Sequence, residues 1–427
     1  MKKTLLLSFL IFLTCSAFFP HNAFSQSKVI AGIVDDACTL WVAPNGTGNY
    51  TSIQPAINAA SPGSMICVTQ GTYVSTGSTP VIDWRNKDLI LLGGYANVNG
   101  ARDPRLYPSV LDGQSARRVI NTQNLSGNSL FSGFVVKNGN DSTSAQGSGM
   151  NNLRSSVKID NVIFQENISL YSGATYGGAL MYSGISSDVS IIENSLFEGN
   201  RASYGGAIYN NSSAPLIINN TIFRNQVASY SGGAIYNISA ALTSIRNSIF
   251  SDNYVYFADG GAINNNGGPM DITNCLFYRN WTDFHQALAN VIMGNSSAKM
   301  TITNSTFSKN GEGLGALYTI YQRDDGHTTI QNSIVFSNRW NGSELGGGFS
   351  LYTVRYSDIG GGFIYPGGGN ITINPLFIDA FGGNFHLSAG SPCINTGTSA
   401  GAPGDDLDGI LRPQGAGFDM GAYEYHL

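Results

Sequence analysis

Asn194-Ser195-Leu196-Phe197-Glu198-Gly199-Asn200, followed after four residues by Gly205-Gly206-Ala207-Ile208, is the stretch that decides the fold. It returns one turn later as Asn220-Thr221-Ile222-Phe223 and Gly232-Gly233-Ala234-Ile235. Working outward, the Asn-x-x-Phe-x-x-Asn unit recurs at Asn161-Phe164-Asn167, Asn247-Phe250-Asn253, Asn274-Phe277-Asn280 and Asn304-Phe307-Asn310. Two copies vary: after Phe223 the closing Asn225 is displaced by one residue, and Val335 replaces the Phe between Asn332 and Asn338. The glycine unit recurs at Gly177-Gly178-Ala179-Leu180 and Gly260-Gly261-Ala262-Ile263. Successive Phe residues lie 33, 26, 27, 27 and 30 residues apart, with 28 more to Val335. Self-similarity at such a period marks a solenoid.

Between the motifs lie short runs such as Leu216-Ile217-Ile218 and Met300-Thr301-Ile302-Thr303, too short for helices. One repeat of short strands cannot bury its own apolar side chains. Stacked coils can, because each strand pairs with its equivalents above and below at about 4.8 Å. The expected fold is therefore all-β, a right-handed parallel β-helix with a short N-terminal capping helix. Phe stacks on Phe inside, and Asn stacks on Asn at bends that use the left-handed backbone region. The glycine pairs supply positive φ or close approach at another corner. Asn and Phe in these ladders are read as structural, not catalytic.

Composition agrees. Charged residues are 11%, Gly numbers 53, and 42% of residues are apolar, which is not a disordered composition. The net charge is −5 and Lys and Arg do not cluster, so no stripe exists for nucleic acid or an anionic membrane. Residues 1–25 read as an export signal: Lys2 and Lys3, an apolar run from Leu5 to Phe19, then Ala23-Phe24-Ser25 before Gln26. The run is short for a membrane span, Cys15 lacks a lipoprotein context, and no later segment is apolar enough to cross a bilayer. The expected location is extracellular or on the outer cell surface. Of the remaining cysteines, Cys38 and Cys67 lie about one coil apart and suit either a disulfide or two small buried residues. Cys275 and Cys393 read as core thiols, and no spacing suggests zinc.

Open coils expose strand edges and need caps. Thr39-Leu40-Trp41-Val42 reads as a strand and Thr51 to Ala60 as a short amphipathic helix with Ser52 near its start. The stretch from Val42-Ala43-Pro44-Asn45-Gly46-Thr47-Gly48-Asn49-Tyr50 through Ile53-Gln54-Pro55-Ala56-Ile57-Asn58-Ala59-Ala60 resembles the capping region of pectin-lyase-fold proteins, pectinesterases included. The repeats over roughly residues 145–340 resemble those of chlamydial polymorphic outer membrane proteins. Toward the C-terminus, Asn374-Pro375-Leu376-Phe377, Phe385-His386-Leu387-Ser388, Gly390-Ser391-Pro392 with Ile394, Asp408-Gly409 with Arg412-Pro413, and Asp419-Met420-Gly421-Ala422-Tyr423-Glu424 are similar to the final segment of choice-of-anchor Q surface proteins. In that family an anchor commonly follows the Gly-Ala-Tyr-Glu motif. Here three residues follow, so the expectation is a soluble or non-covalently retained protein. The organisation reads as signal 1–25, β-helix with its cap 26–375, and a C-terminal capping segment 376–427.

A polysaccharide lyase needs carboxylates for calcium plus a basic residue, and a hydrolase needs paired carboxylates. No such set stands out, and the pectinesterase Asp-Phe-Ile-Phe-Gly type of segment is absent. Candidates sit where the repeat breaks: Asp283 and His285 near Trp281, and Arg323, Asp324, Asp325 with His327; either two coils juxtapose them, or they are a turn and surface groups. Asp405, Asp406 and Asp408 in a Gly-rich loop suit either weak structural calcium or a plain turn. The 21 Tyr residues supply stacking groups for sugars or protein surfaces. The favoured function is a non-catalytic, adhesin-like or glycan-binding protein, a monomer whose partner is an extracellular glycan or a host or cell-surface protein. The alternative is a lyase or glycoside hydrolase working in a groove along the helix. No C-terminal membrane barrel follows to support an autotransporter passenger.

Overall fold

The computed structural model describes residues 38–426 except 78, 142–144, 170–172, 284–288, 296–297, 312–316, 324 and 339–342. The proposed signal 1–25, His285 and Asp324 lie outside the described residues. One coil shows the plan. Ser190–Glu193 belongs to sheet 1, Leu196–Glu198 to sheet 2, Arg201–Tyr204 to sheet 4 and Ile208–Ser212 to sheet 3, after which Leu216–Asn219 re-enters sheet 1. Among the described residues, sheets 1, 2 and 3 hold 12, 11 and 10 strands and sheet 4 holds four. Their strands are parallel and pair with the neighbouring coils, giving a right-handed parallel β-helix.

The register is like on like. Phe197 pairs with Phe223, Ile192 with Ile218, and Ile208 with Ile235. Phe164, Phe197, Phe223, Phe250, Phe277 and Phe307 form an inward column with centroids 4.5–4.8 Å apart and rings within 3–11° of parallel. Each is fully buried, contributing about 2 kcal/mol of burial apiece, with a further ~1 kcal/mol per stacked pair.

The repeated Asn motif performs two different jobs. Its first Asn is a left-handed bend: Asn161, Asn194, Asn220, Asn247, Asn274, Asn304 and Asn332 have φ of 45–52°. Its last Asn is buried. Asn253 Nδ2 donates to the Phe223 carbonyl at 3.0 Å and to Asn280 Oδ1 at 2.8 Å, and Asn280 repeats this toward Phe250 and Asn310. The displaced Asn225 is not the ladder member in its coil. Gln226 is: Asn200 Nδ2 donates to its Oε1 at 3.0 Å, and Gln226 N donates to Asn253 Oδ1 at 3.1 Å. The extra methylene turns the Gln226 amine back onto the Arg224 carbonyl at 2.7 Å. Asn225 instead takes the left-handed position before it, with φ of 57°.

The glycine pair also divides its labour. Gly205 and Gly232 adopt φ of 63° and 64°. Gly206 and Gly233 are needed for space, since a Cβ on either would collide with the carbonyl of Gly233 or Gly261 on the next coil.

At the N-terminal end Ile53–Ala59 forms the capping helix, laying Ile53, Ala56 and Ile57 over the core. Its last turn is finished by Lys87, whose Nζ reaches the carbonyls of Ile57 at 2.7 Å and Ala60 at 2.6 Å. Cys38 and Cys67 are joined by a disulfide with Cα atoms 5.7 Å apart, tying the described N-terminus to sheet 1; Cys275 and Cys393 are buried thiols. At the other end the core column runs to Leu345, Tyr352, Ile359 and Tyr365.

Residues 376–426 do more than cap. They double back along the outer face of sheet 2, where Ile249, Leu276, Thr306 and Ile334 stand in register. Leu276 packs with Phe385, Ala422 and Tyr423, and Ile334 with Leu387, Cys393 and Met420. The bend asparagines hold this strap as well: Asn274 Nδ2 donates to the Asp405 carbonyl at 2.6 Å, Asn304 to the Asp419 carbonyl at 3.2 Å, and Asn332 to the Thr398 carbonyl at 2.7 Å. Inside the strap, Arg412 Nη1 and Glu424 Oε2 form a fully buried ion pair at 2.7 Å.

Candidate functional site

The polar residues singled out in the sequence do not converge. Asp283 is exposed and directly follows Trp281–Thr282 of sheet 4. Arg323 and Asp325 are exposed just past Tyr318–Gln322 of sheet 3, and Arg323 N donates to the Gly294 carbonyl at 2.8 Å. The six-residue strand Ala289–Gly294 runs between the two places, a length of about 20 Å. They occupy opposite corners of the coil, because the chain between them crosses the full width of sheet 3. His327 is turned onto sheet 1, its Nε2 3.0 Å from Thr353 Oγ1.

The three aspartates of the C-terminal loop have separate work. Asp406 is buried, and its two oxygens already accept the backbone N–H groups of Asp408, Ile410 and Glu424 at 2.8–2.9 Å. Asp408 pairs with His386 Nε2 at 2.6 Å. Asp405 is exposed. Among the described residues no group of three or more His, Cys, Asp or Glu is placed to hold a metal ion. The loop is an Asx-type turn anchored by one carboxylate.

What the coils do bring together is tyrosine. Tyr176, Tyr204 and Tyr230 lie on successive coils at the corner between sheets 4 and 3, with centroids 5.7 and 5.3 Å apart, and Phe257 extends the row by 6.1 Å. A second row stands beside it on the outer face of sheet 3. Tyr209 and Tyr236 pair in register with centroids 5.6 Å apart, and they meet Tyr176 and Tyr204 edge-on or tilted at 4.8 and 5.2 Å. On sheet 4, Tyr254 pairs in register with Trp281 at 4.5 Å, and the Tyr254 hydroxyl hydrogen-bonds the Asp283 carboxylate. Arg201 places its guanidinium over the Tyr256 ring at 5.6 Å.

The electrostatics follow from crowding. Burial, then the neighbouring tyrosines, push the Tyr209 hydroxyl up to about 12, and the same causes raise Tyr204. Tyr254 is raised by burial and then by Asp283, whose charge disfavours a phenolate. All therefore stay protonated donors at neutral pH. Among the described residues nothing hydrogen-bonds the hydroxyls of Tyr176, Tyr204, Tyr209 or Tyr230. The corner is a periodic set of ring edges and unengaged hydroxyls.

Toward the N-terminal end the same outer row of sheet 3 turns polar. Asn121 Nδ2 donates to Asp83 Oδ1 at 2.9 Å and Asn151 Nδ2 to Asn121 Oδ1 at 3.3 Å. Sequence reasoning singled out no individual tyrosine. The signal was present as Tyr176 and Tyr204 directly before a glycine pair, and as Tyr209 and Tyr236 directly after the repeated Ile. Only the fold shows that these two positions face one another.

Against known proteins, the Chlamydia polymorphic membrane protein repeat matches residues 194–211, the coil quoted first above. No curated protein matches the chain. Among solved structures, the chain is similar to pectate lyase Pel9A at 15% identity and a TM-score of 0.49, covering 87% of this chain and 90% of that one. It is also similar to pectin methylesterase from carrot at 11% identity and a TM-score of 0.30, covering 75% and 89%. No helix among the described residues is long and apolar enough to cross a membrane, which says nothing of a β-barrel.

Proposed function

We propose that this chain is an exported or surface-associated, non-catalytic β-helix that binds glycans at the corner between sheets 4 and 3. The observation that carries the reading is the double tyrosine row, in which the hydroxyls of Tyr176, Tyr204, Tyr209 and Tyr230 have no hydrogen-bond partner among the described residues while that of Tyr236 accepts from Asn266 Nδ2 at 3.4 Å. Sugars are recognised by aromatic surface that covers their C–H faces and by donors and acceptors that meet their hydroxyls. A tyrosine row provides both at low conformational cost, since each ring has only two rotatable bonds. The coil geometry supports the adhesin-like element of the reading: similar coils make a surface that repeats along one axis, suited to an elongated partner. The Chlamydia repeat match supports a surface setting for such a protein.

The test combines retention and turnover. The purified chain is run by affinity electrophoresis through neutral and acidic polysaccharides, and released reducing ends and unsaturated products are recorded with and without calcium. Retention that disappears in Tyr204→Ala with Tyr230→Ala, without product, is the expected result. Product formation abolished by Asp283→Ala would replace binding with lyase or hydrolase activity.

A further inference from the structure

The period of the tyrosine row bears on which glycan would fit it. We infer that the corner binds a neutral, extended, β-1,4-linked hexose or pentose chain lying parallel to the helix axis, one sugar per coil. This deepens, and rests on, the glycan-binding reading above.

Three observations carry it. First, the rings of the outer row repeat at 5.7, 5.3 and 6.1 Å, set by the stacking of the coils. A β-1,4-linked chain is a flat ribbon whose rings advance by roughly the height of one coil. It can therefore keep one ring opposite each of four coils in succession, with the same edge returning on every second coil. An α-1,4-linked glucan curls and leaves the register after one or two.

Second, the row is graded along its length. Tyr176 and Tyr204 stand 12° from parallel and cover one another's faces, so they present edges and hydroxyls. Phe257 is tilted 44° from Tyr230 and is 57% exposed, and Trp281 is tilted 42° from Tyr254 and is 39% exposed. Phe257 thus offers exposed ring surface at the end of the row, and Trp281, in register with Tyr254 three residues before Phe257, offers it to one side. A ribbon-like sugar chain along the row can stack a C–H face on Phe257 while its equatorial hydroxyls meet the tyrosine edges.

Third, the charge is wrong for a polyuronide. Asp283 stands in sheet 4 one coil on from Tyr256, exposed and bonded to the Tyr254 hydroxyl. Arg201, beside the row, is turned onto the Tyr256 ring. A uronate chain would bring repeated carboxylates toward Asp283, and among the described residues of the row it would meet phenols, with Arg201 as a single positive charge at its side.

The experiment is calorimetry, with Trp281 fluorescence as a second readout, on the full chain with cello- and xylo-oligosaccharides of two to six units, maltohexaose and hexagalacturonate. Affinity for the β-1,4 neutral series is expected to rise about tenfold from two to four units and then level off. The double variant Tyr204→Phe with Tyr230→Phe keeps the rings and loses two hydroxyls, and is expected to weaken binding by about tenfold. Binding to hexagalacturonate or maltohexaose in preference, or no dependence on length, overturns this inference while leaving glycan binding intact. Binding unchanged by the double Phe variant overturns it too. Binding to none of these sugars, nor to the polysaccharides above, removes the glycan-binding reading and this inference together.

Discussion

Two aromatic columns run through this molecule, one inside and one outside, written by the same repeat. Inside, the Phe column stacks at 4.5–4.8 Å with rings within 11° of parallel. Outside, the row from Tyr176 to Phe257 stacks at 5.3–6.1 Å with rings 12–44° apart. The backbone imposes one spacing on both. The difference arises because the Phe rings are enclosed by Ile from sheets 1 and 3, which holds them in a single orientation. The Tyr rings have solvent on one side, so they tilt and their hydroxyls keep their hydrogen-bonding capacity. Packing turns the inner column into structure and leaves the outer one available for a ligand.

The comparison breaks most visibly under truncation of each column. Phe250→Ala should lower stability by about 3–5 kcal/mol, whereas Tyr230→Ala should change it by less than ~1 kcal/mol. Urea unfolding followed by circular dichroism measures both, and equal losses would erase the distinction between the columns. The next largest effect tests the ladder that pins the inner column. Asn253→Ala removes the Nδ2 donor of the Phe223 carbonyl and the Oδ1 acceptor of the Gln226 N–H, leaving only the backbone N–H of residue 253 on Asn280 Oδ1, and should lose about 2–3 kcal/mol in the same assay.

A third prediction concerns the strap, which covers the outer face of sheet 2 as no described segment covers the tyrosine row. Burial raises Asp358 and Asp419 to about 6, from 3.8. The folded chain therefore holds protons that the unfolded chain has already lost. Their stabilising contribution is full below pH ~4 and disappears as the pH rises through 6, a change on the order of 2 kcal/mol. Hydrogen exchange of residues 376–426 should accelerate from pH 4 to 7 beyond the intrinsic rate increase, and Asp419→Asn should flatten that dependence. Among the inner coils the dependence should be confined to the surroundings of Asp252, whose carboxyl burial also raises. The smallest effect sharpens the comparison from the other side: Tyr204→Phe should leave the melting temperature within ~2 °C, since its hydroxyl has no protein partner among the described residues.

The architecture was legible because a solenoid repeats its instructions. Asn-x-x-Phe-x-x-Asn and Gly-Gly-Ala-Ile state the period, the bends and the inward residues many times over, and like pairs with like in the register. The Asn225 variant was harder to read, because equivalence in the ladder depends on where an amide reaches and Gln226 reaches it from one residue further on. The site was less legible still. Asp283 and Arg323 both sit at interruptions of the repeat, but sequence distance does not say on which corner of a coil a loop emerges.

By itself, then, the sequence determined the parallel β-helix, its coil length, its buried columns and the capping helix, because each is a local pattern repeated at a fixed interval. Only the tertiary structure decided that the C-terminal segment folds back over sheet 2, that Asp283 belongs with Trp281 and Tyr254 and not with Asp325, and that two separate tyrosine positions share one face. Those three facts depend on the angular position of a residue around the coil, which the number of residues between motifs does not specify.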